Sequence, residues 1–249
     1  MSDQADDYVG ANRPPVSQFR LRTLLIGVGV TLAVCISAVL AVGVERAREA
    51  AARASCNLGA INIAIHNYHD HHGELPPAVV YGGDGQPLYS WRVLILPFFD
   101  ERELYDEFRL DEPWDSEHNV RLLKRMPKSF EAPWRRHVDV PPGHTVCRVM
   151  IGPGAAFEDG SRLTLTDDFP DGTANTLLFV EAGEPVPWTK PAEIAYDAER
   201  PVKLKGLFRD GFRACSVDGT YRFIRYDADQ ESVHAVITRD GGESLPAGW

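Results

Sequence analysis

Four histidines within seven residues are the first side chains in this sequence that could do chemistry. His66 and His69 are three residues apart, a spacing that places two imidazoles on one face of a helix, where they can share a metal ion. Asp70 follows directly and could orient one of the rings. The same pattern also fits a polar helix end whose histidines cap the helix or bond to neighbouring segments. His66 and His69 are therefore metal candidates with an ordinary structural role as the alternative.

A second candidate is an acidic loop in the C-terminal half. Asp167 and Asp171 could bind Ca²⁺ through their hard carboxylate oxygens, although their spacing is not that of an EF-hand. Asp171-Gly172 is equally typical of a turn. Asp218-Gly219, between two runs rich in apolar and β-branched residues, is a strong hairpin signal. We therefore interpret Asp171, Gly172, Asp218 and Gly219 as structural turns, with calcium as an open alternative at the first pair.

Signatures of catalysis and of nucleic-acid binding are missing from the sequence. It contains no G-x-S-x-G elbow, no H-E-x-x-H motif and no P-loop. Its net charge is −10 and no long Lys/Arg run occurs, whereas binding a phosphate backbone requires a basic patch. The sequence therefore predicts no catalytic residue, no resident cofactor and no nucleic-acid partner.

The element that limits the function most is an apolar run near the N-terminus. Residues 24–44 carry no charge, and these 21 residues can cross a lipid bilayer as a helix. A secretory signal has a shorter apolar region, but Ala41-Val42-Gly43 resembles a cleavage site, so cleavage stays open. We predict a disordered cytoplasmic tail over 1–23 and a transmembrane helix over 24–44.

Beyond this run, apolar residues recur in steps of three and four, which predicts a helix from about Arg20 to about His71. They are Val44, Ala47, Ala51, Ala54, Leu58, Ile61, Ile65 and Tyr68. Gly73 is the expected C-cap.

A loop is predicted over 79–86, and short helices over 91–96 (capped by Ser90), over 101–108, and before Pro127. Strands follow at 145–151, 162–166, 176–181, 214–217 and 221–226, while 232–238 fits a strand or a short helix. Helices followed by strands predict an α+β fold with a mostly antiparallel sheet.

The four cysteines do not form a metal motif, because no CxxC occurs. Cys35 lies in the apolar run and Cys56 in the predicted helix. If residues 45–249 lie outside the cytoplasm, one disulfide can form among Cys56, Cys147 and Cys215, and Cys147–Cys215 is the preferred pair.

Several sequence blocks, in order, resemble a known bacterial family. They include Cys56-Asn57-Leu58, Ile65-His66-Asn67-Tyr68, Gly73-Glu74-Leu75-Pro76-Pro77, Ser90-Trp91-Arg92-Val93-Leu94, Asp171-Gly172-Thr173-Ala174-Asn175-Thr176 and Asp218-Gly219-Thr220-Tyr221-Arg222-Phe223-Ile224. Together they resemble the prepilin-like family expanded in planctomycetes, the domain of unknown function 1559. The resemblance covers about residues 45–245.

The resemblance implies a pilin-like head, in which a long stalk helix continues from the membrane and packs on an antiparallel sheet. It also implies a single pass through a bacterial inner membrane, with residues 45–249 outside the cytoplasm. Charge alone does not set this orientation, because three arginines lie close to the apolar run on each side. The implied partners are the lipid bilayer and other pilin-like or secretion-system proteins, and calcium occurs in some pilin-like relatives. The family implies no established activity.

This chain departs from the family pattern at two places. Typical members carry a prepilin motif, Gly-Phe-Thr-Leu-x-Glu, whereas here no Gly precedes Phe19 and no acidic residue begins the apolar run. In pilin-type subunits that Glu neutralises the N-terminal amine of a neighbour. The chain lacks both features, so the resemblance leaves processing and ordinary filament assembly open. Phe208 stands where the family has a histidine.

The sequence therefore predicts a membrane-anchored, pilin-like, non-enzymatic protein with a structural or interaction role in the cell envelope. The alternative is a membrane-tethered module that binds a ligand such as a glycan on exposed aromatic rings. Its candidate residues are Trp91, Trp114, Trp134 and Trp188. Exposed tryptophans beside a groove would favour binding, and buried ones would favour assembly.

Overall fold

A computed structural model describes residues 16–132, 139–243 and 245, with the side chains of 16–25 and 47–57 left undescribed. The chain divides into two compact units, Met1–Glu49 and Ala50–Trp249. Helix α1, Val16–His72, begins four residues before the predicted start. Residues 1–15 of the predicted tail lie outside the described residues. In the first unit every described side chain from Ile26 to Arg46 is exposed.

The last part of α1 belongs to the second unit and buries one face. The buried residues there are Leu58, Ile61, Ala64, Ile65 and Tyr68, whereas Ile63 on the opposite face is 61% exposed. The spacing in steps of three and four is thus confirmed from Leu58 onward. The N–H of Gly73 donates to His69 O at 2.7 Å with a φ of +78°, so the predicted C-cap is also confirmed.

A short hairpin follows where the sequence predicted only a loop. Strands β1 (Val79–Tyr81) and β2 (Pro87–Ser90) pair antiparallel. The prediction was wrong because the glycine-rich stretch is the turn itself: the Gly82 N–H donates to Gln86 O at 2.8 Å, and Gly85 has positive φ. Helix α2, Trp91–Leu94, begins directly after β2, and Ser90 caps it as predicted.

The connection to the main sheet is made of short helical turns. They are a 3₁₀ helix over Leu96–Phe99, helix α3 over Arg102–Glu107, and 3₁₀ helices over Asn119–Arg125 and Lys128–Phe130. Pro97 lies in the first turn of the first of these, a position where its missing N–H costs no hydrogen bond.

The main sheet has four strands, all antiparallel, in the order β3-β5-β7-β8. They are β3 (His144–Arg148), β5 (Leu177–Pro187), β7 (Gly211–Ser216) and β8 (Tyr221–Arg225). Two short strands, β4 (Met150–Ile151) and β6 (Ile194–Ala195), pair parallel. Residues 162–166 do not form the predicted strand. Residues 232–238 are mostly helical, within α4 (Gln230–Ile237), which Asp229 caps by accepting from the Ser232 N–H.

Each face of the sheet carries its own core. Phe179 and Cys215 point towards the buried residues of α1, such as Ile61. Their neighbours Val180 and Ala214 belong to the other cluster, with Val233 and Val236 of α4. This alternation follows from the two-residue period of a strand. The predicted α+β class with an antiparallel sheet is confirmed.

The preferred disulfide between Cys147 and Cys215 is wrong, because both residues are buried free thiols. Cys147 lies on β3 and Cys215 on β7, with β5 between them. Two strand spacings place their Cα atoms at least about 10 Å apart, whereas bridged cysteines have Cα atoms at most about 7 Å apart. Burial raises the pKa of the Cys215 thiol to about 12, so it stays protonated at neutral pH.

The turn between β7 and β8 supports a first testable prediction. Gly219 has a φ of +90°, and a Cβ added there would lie 3.1 Å from Asn62 Nδ2. We expect Gly219→Val to lower the free energy of unfolding by about 2 kcal/mol, because a β-branched residue is strained at positive φ. Thermal unfolding of the full chain in detergent micelles measures this effect. Gly83→Val is the control, since a Cβ at Gly83 has no neighbour within 4 Å; equal losses in both variants would contradict the prediction.

Candidate functional site

The two histidines predicted as metal candidates each hold a distant backbone segment against α1. The Nε2–H of His66 donates to Val217 O at 2.7 Å. Nε2 of His69 instead accepts from the Leu165 N–H at 3.1 Å, so this ring carries its proton on Nδ1, 3.5 Å from Asp70 Oδ1. Among the described residues, no group of three or more His, Cys, Asp or Glu side chains is arranged to hold a metal ion. A metal site at His66 and His69 therefore stays a prediction.

Asp171 of the acidic loop binds backbone. Its two carboxylate oxygens accept from the Gly242 N–H at 3.1 and 3.0 Å, which ties the loop to the segment after α4. Gly172 has a φ of +95°, and its N–H donates to Phe169 O across a turn. Asp168 accepts from both the N–H and the hydroxyl of Thr164, and these bonds lower the pKa of its carboxyl. Asp167 is exposed. Calcium binding by Asp167 and Asp171 stays a prediction.

The strongest electrostatic feature of the second unit is a buried ion pair that sequence reasoning missed. Arg92 Nη1 lies 2.7 Å from Glu193 Oε1, and both side chains are fully buried. Arg92 Nε donates to Cys147 O at 2.9 Å, and the second carboxylate oxygen of Glu193 accepts from the Val149 N–H at 2.9 Å. The Ser90 hydroxyl accepts from Arg92 and donates to Glu193 at 3.1 Å. We call these five residues the Arg92 cluster.

The Arg92 cluster joins three segments that are far apart in sequence. Arg92 comes from α2, Glu193 from the residue before β6, and Cys147 from β3. One signal for it existed, since an arginine directly after Trp91 interrupts an apolar helical turn. Nothing in the sequence around Glu193 marks it as the partner. Arg92 Nε and Nη1 donate to Cys147 and Glu193, whereas the buried Nη2 has no hydrogen-bond partner among the described residues. The bonds that do form hold the three segments together, which is the arrangement of a structural clamp.

A second buried carboxyl belongs to Glu181 on β5. Glu181 lies between Cys147 on β3 and Arg213 on β7, which are its direct neighbours across the sheet. Glu181 is 4% exposed, and one of its carboxyl oxygens has no hydrogen-bond partner among the described residues. Burial raises the pKa of Glu181 to about 7, against a smaller lowering by the Arg213 charge. The charge of Glu181 is therefore expected to change near neutral pH.

The tryptophans do not form an exposed platform in the described part of the chain. Trp91 and Trp188 are fully buried, and the Trp188 Nε1–H donates to Leu123 O at 3.1 Å. Trp114 is half-buried, with the Lys190 ammonium 5.5 Å from its ring centroid. Trp134 lies outside the described residues. By the criterion of exposure, these rings favour packing over glycan binding.

The apolar segment near the N-terminus is the most exposed hydrophobic surface described. Ile26–Arg46 is helical, 21 residues long and apolar enough to cross a membrane, and none of it is buried. A signal sequence near an N-terminus would meet the same criteria. The hydroxyls of the Ile26–Arg46 segment form hydrogen bonds within the helix: Thr31 donates to Gly27 O at 2.6 Å and Ser37 to Ala33 O at 2.9 Å. In a lipid environment, polar groups need such internal partners.

Comparison with known proteins assigns a family to part of the chain. No curated protein and no solved structure matches it. The family model described as a protein of unknown function (DUF1559) matches residues 45–145, a segment that includes α2 and Arg92. Glu181, Glu193 and the β7–β8 hairpin lie beyond the matched residues. Residues 45–145 of this chain are therefore similar to the DUF1559 family, which the sequence blocks within this range resemble.

Proposed function

We propose that this chain is a single-pass protein of a bacterial inner membrane, with residues 45–249 outside the cytoplasm and a structural or interaction role in the cell envelope. The observation that carries the proposal is the exposed helical segment Ile26–Arg46. Its large exposed side chains are Ile26, Val28, Val30, Leu32, Val34, Ile36, Val39, Leu40, Val42 and Val44. Burying each of these in an apolar environment is worth about 1.5–3 kcal/mol, so a lipid bilayer is the favoured surrounding.

The finer part of the proposal is a pilin-like role without ordinary pilin processing. In support, the last turns of α1 pack their apolar face on an antiparallel sheet. The proposal assigns the chain no catalytic step and no cofactor. The bonds of His66, His69 and Asp171 to backbone atoms are consistent with structural duties for these residues.

Membrane fractionation with tags at both termini tests the anchor and separates it from a cleaved signal. We expect the full-length chain, with both tags, in the membrane pellet after an alkaline wash. A soluble product that begins near residue 44 would identify a signal sequence and contradict the anchor.

Charges placed in the segment should prevent its insertion. We expect Val30→Arg combined with Val34→Arg to move the chain out of the washed membrane fraction, because two arginines near a helix centre cost about 5 kcal/mol of insertion. The matched control is Ile63→Arg, which adds a charge at an exposed position of the second unit and should leave fractionation unchanged. Retention of the double variant in the washed membrane would count against a transmembrane segment.

Labelling of intact cells tests the orientation. In a chain with Cys35 and Cys56 replaced by Ala, Val120→Cys provides an exposed thiol, while Cys147 and Cys215 are buried. A membrane-impermeant maleimide should label this thiol in intact cells if residues 45–249 lie outside the cytoplasm. Labelling only after cell lysis would place them inside.

Chemical crosslinking in intact cells, followed by mass spectrometry, tests the interaction role. We expect crosslinks to a second copy of the chain or to pilin-like or secretion-system proteins. Recovery of monomer without protein neighbours would contradict an assembly role and favour the binding of a glycan.

A further inference from the structure

The segment that leads into β7 carries exposed cations, although the chain as a whole is acidic. Lys203, Lys205 and Arg209 are exposed, and in the described part of the chain none of their side chains forms an ion pair or a hydrogen bond. Residues 200–229 contain seven Lys or Arg and four Asp or Glu, against a net charge of −10 for the whole chain. This stretch therefore presents a positive surface on a negative protein.

Exposed aromatic rings adjoin these cations. Tyr221 and Phe223 on β8 are each 45% exposed, and Tyr226 directly after it is 43% exposed. The Tyr226 hydroxyl accepts from the Gly206 N–H at 2.6 Å, and the ring centroid of Phe223 lies 5.4 Å from that of Phe208. Gly206 and Phe208 belong to the same segment as the cations, so rings and cations share one surface. We call the following six residues the basic–aromatic surface: Lys203, Lys205, Arg209, Tyr221, Phe223 and Tyr226.

The acidic residues near this surface have partners of their own. Asp210 and Asp227 lie 3.7 and 2.8 Å from the Arg225 guanidinium. Asp229 accepts from the Ser232 N–H and caps α4. The three exposed cations of the basic–aromatic surface therefore keep their charges available to an anionic partner.

The composition of the surface indicates the kind of partner. Lysine and arginine extend their charged ends towards anionic headgroups, and tyrosine and phenylalanine rings are stable at the boundary between headgroups and acyl chains. Basic and aromatic side chains on one surface are typical of segments that lie on a lipid bilayer.

The length of the chain keeps a bilayer within reach of this surface. Gly59 follows Arg46, the last residue of the apolar segment, by 13 residues, and all of them are helical. A helix rises 1.5 Å per residue, so the chain can carry Gly59 at most about 20 Å from the end of that segment. A Cβ added at Gly59 would lie 2.5 Å from the Tyr221 hydroxyl, so this ring lies directly against α1.

β8 runs back along α1, in the direction of the apolar segment. The turn residue Gly219 lies beside Asn62, and Tyr221 lies beside Gly59, which is earlier in the helix. The strand continues to Arg225, about 13 Å further at 3.3 Å per residue. The exposed rings that follow Tyr221 are therefore on the side of the second unit from which α1 continues to the apolar segment.

We propose that the basic–aromatic surface docks on anionic lipid headgroups of the bilayer that holds the apolar segment. The cations match the headgroup phosphates in charge, and the rings enter the apolar boundary beneath them. A short helical connection gives this lipid a high effective concentration at the surface, an advantage that a free anionic partner lacks. The inference rests on the proposed membrane anchor and adds a second contact with the bilayer, made by side chains of the second unit.

Fluorescence quenching tests the contact in the full chain, with Cys35 and Cys56 replaced by Ala, in vesicles of phosphatidylcholine and phosphatidylglycerol. A nitrobenzoxadiazole label on Phe223→Cys should be quenched at least twofold more by a headgroup-nitroxide lipid than the same label on Tyr81→Cys. Tyr81 is the matched control, because it is 47% exposed and lines a groove with Glu74, beyond the end of α1. With nitroxide lipid in both leaflets, the direction of insertion does not affect the comparison. Equal quenching at the two positions would overturn the proposal.

Removal of charge tests the role of the cations. Replacing the three cations of the surface by Gln should lower the quenching at position 223 to that at position 81, because the attraction to headgroups is electrostatic. Vesicles of phosphatidylcholine alone should have the same effect. The matched control replaces Arg102, Arg121 and Arg162 by Gln, which removes the same charge from other exposed positions and should leave the quenching unchanged. Equal quenching in the two triple variants would contradict docking on anionic headgroups.

Membrane fractionation separates this inference from the anchor on which it rests. If the label at position 223 is not quenched while the full-length chain stays in the washed membrane, the docking fails and the anchor stands. If the chain leaves the washed membrane, both fail.

Discussion

Glu193→Gln is expected to lower the free energy of unfolding of the second unit by about 3–5 kcal/mol. The substitution leaves the Arg92 guanidinium fully buried without an opposite charge, and an uncompensated buried charge is among the most destabilising changes in a protein. The glutamine side chain has nearly the same size as glutamate, so the loss of stability measures the missing charge and not a change in side-chain volume. Urea unfolding of the full chain in detergent micelles, followed by tryptophan fluorescence, measures it, because Trp91 and Trp188 are buried in this unit.

An exposed ion pair supplies the control for this prediction. Arg121 Nη2 lies 2.6 Å from Glu117 Oε1, but the two side chains are 67% and 91% exposed. Glu117→Gln should therefore cost less than about 1 kcal/mol. The double variant Arg92→Met with Glu193→Leu removes both charges, and we expect it to recover most of the stability that Glu193→Gln loses. A loss below 1 kcal/mol for Glu193→Gln would show that the Arg92 cluster is not a stabilising clamp.

The second large effect is a dependence of stability on pH that Glu181 causes. Its pKa is about 7 in the folded chain, against an ordinary value of 4.5, because burial disfavours the carboxylate. The folded state therefore binds this proton more tightly than the unfolded state. The contribution of Glu181 is fully present below pH 4.5, declines as the pH rises towards 7, and is lost above that value.

Glu181→Gln should remove this decline, since an amide does not titrate. We expect the variant to gain stability over the natural chain by about 1.4 kcal/mol per pH unit between pH 4.5 and 7, to a total of about 3 kcal/mol. Urea unfolding at several pH values measures the difference in free energy of unfolding between the variant and the natural chain. The contributions of other titrating groups are the same in both chains and cancel in this difference. Glu184→Gln is the matched control on the same strand, where the side chain is exposed. A difference that does not change with pH would mean that folding does not raise the pKa of Glu181.

The features predicted correctly from sequence depend on interactions within a few residues. The spacing of Leu58, Ile61 and Ile65 follows from the helical period, and Gly73 ends α1 because it adopts positive φ. The Ser90 side chain caps α2 by accepting from the N–H of Arg92, two residues further along the chain. Asp218-Gly219 connects β7 and β8, the strands directly before and after it. Such preferences act wherever the local sequence occurs, so they can be identified before the fold is known.

The sequence by itself thus determined the long helix with its apolar first part, the buried face of its last turns, the α+β class and the similarity of residues 45–145 to the DUF1559 family. Only the tertiary structure decided the partners of side chains that are far apart in sequence. Glu193 meets Arg92 across 101 positions, and His66 meets Val217 across 151. Strand order decided that Cys147 and Cys215 are separated by β5, and burial in that sheet raised the pKa of Glu181. Burial and pairing arise when distant segments pack, and no local pattern encodes which segments these are.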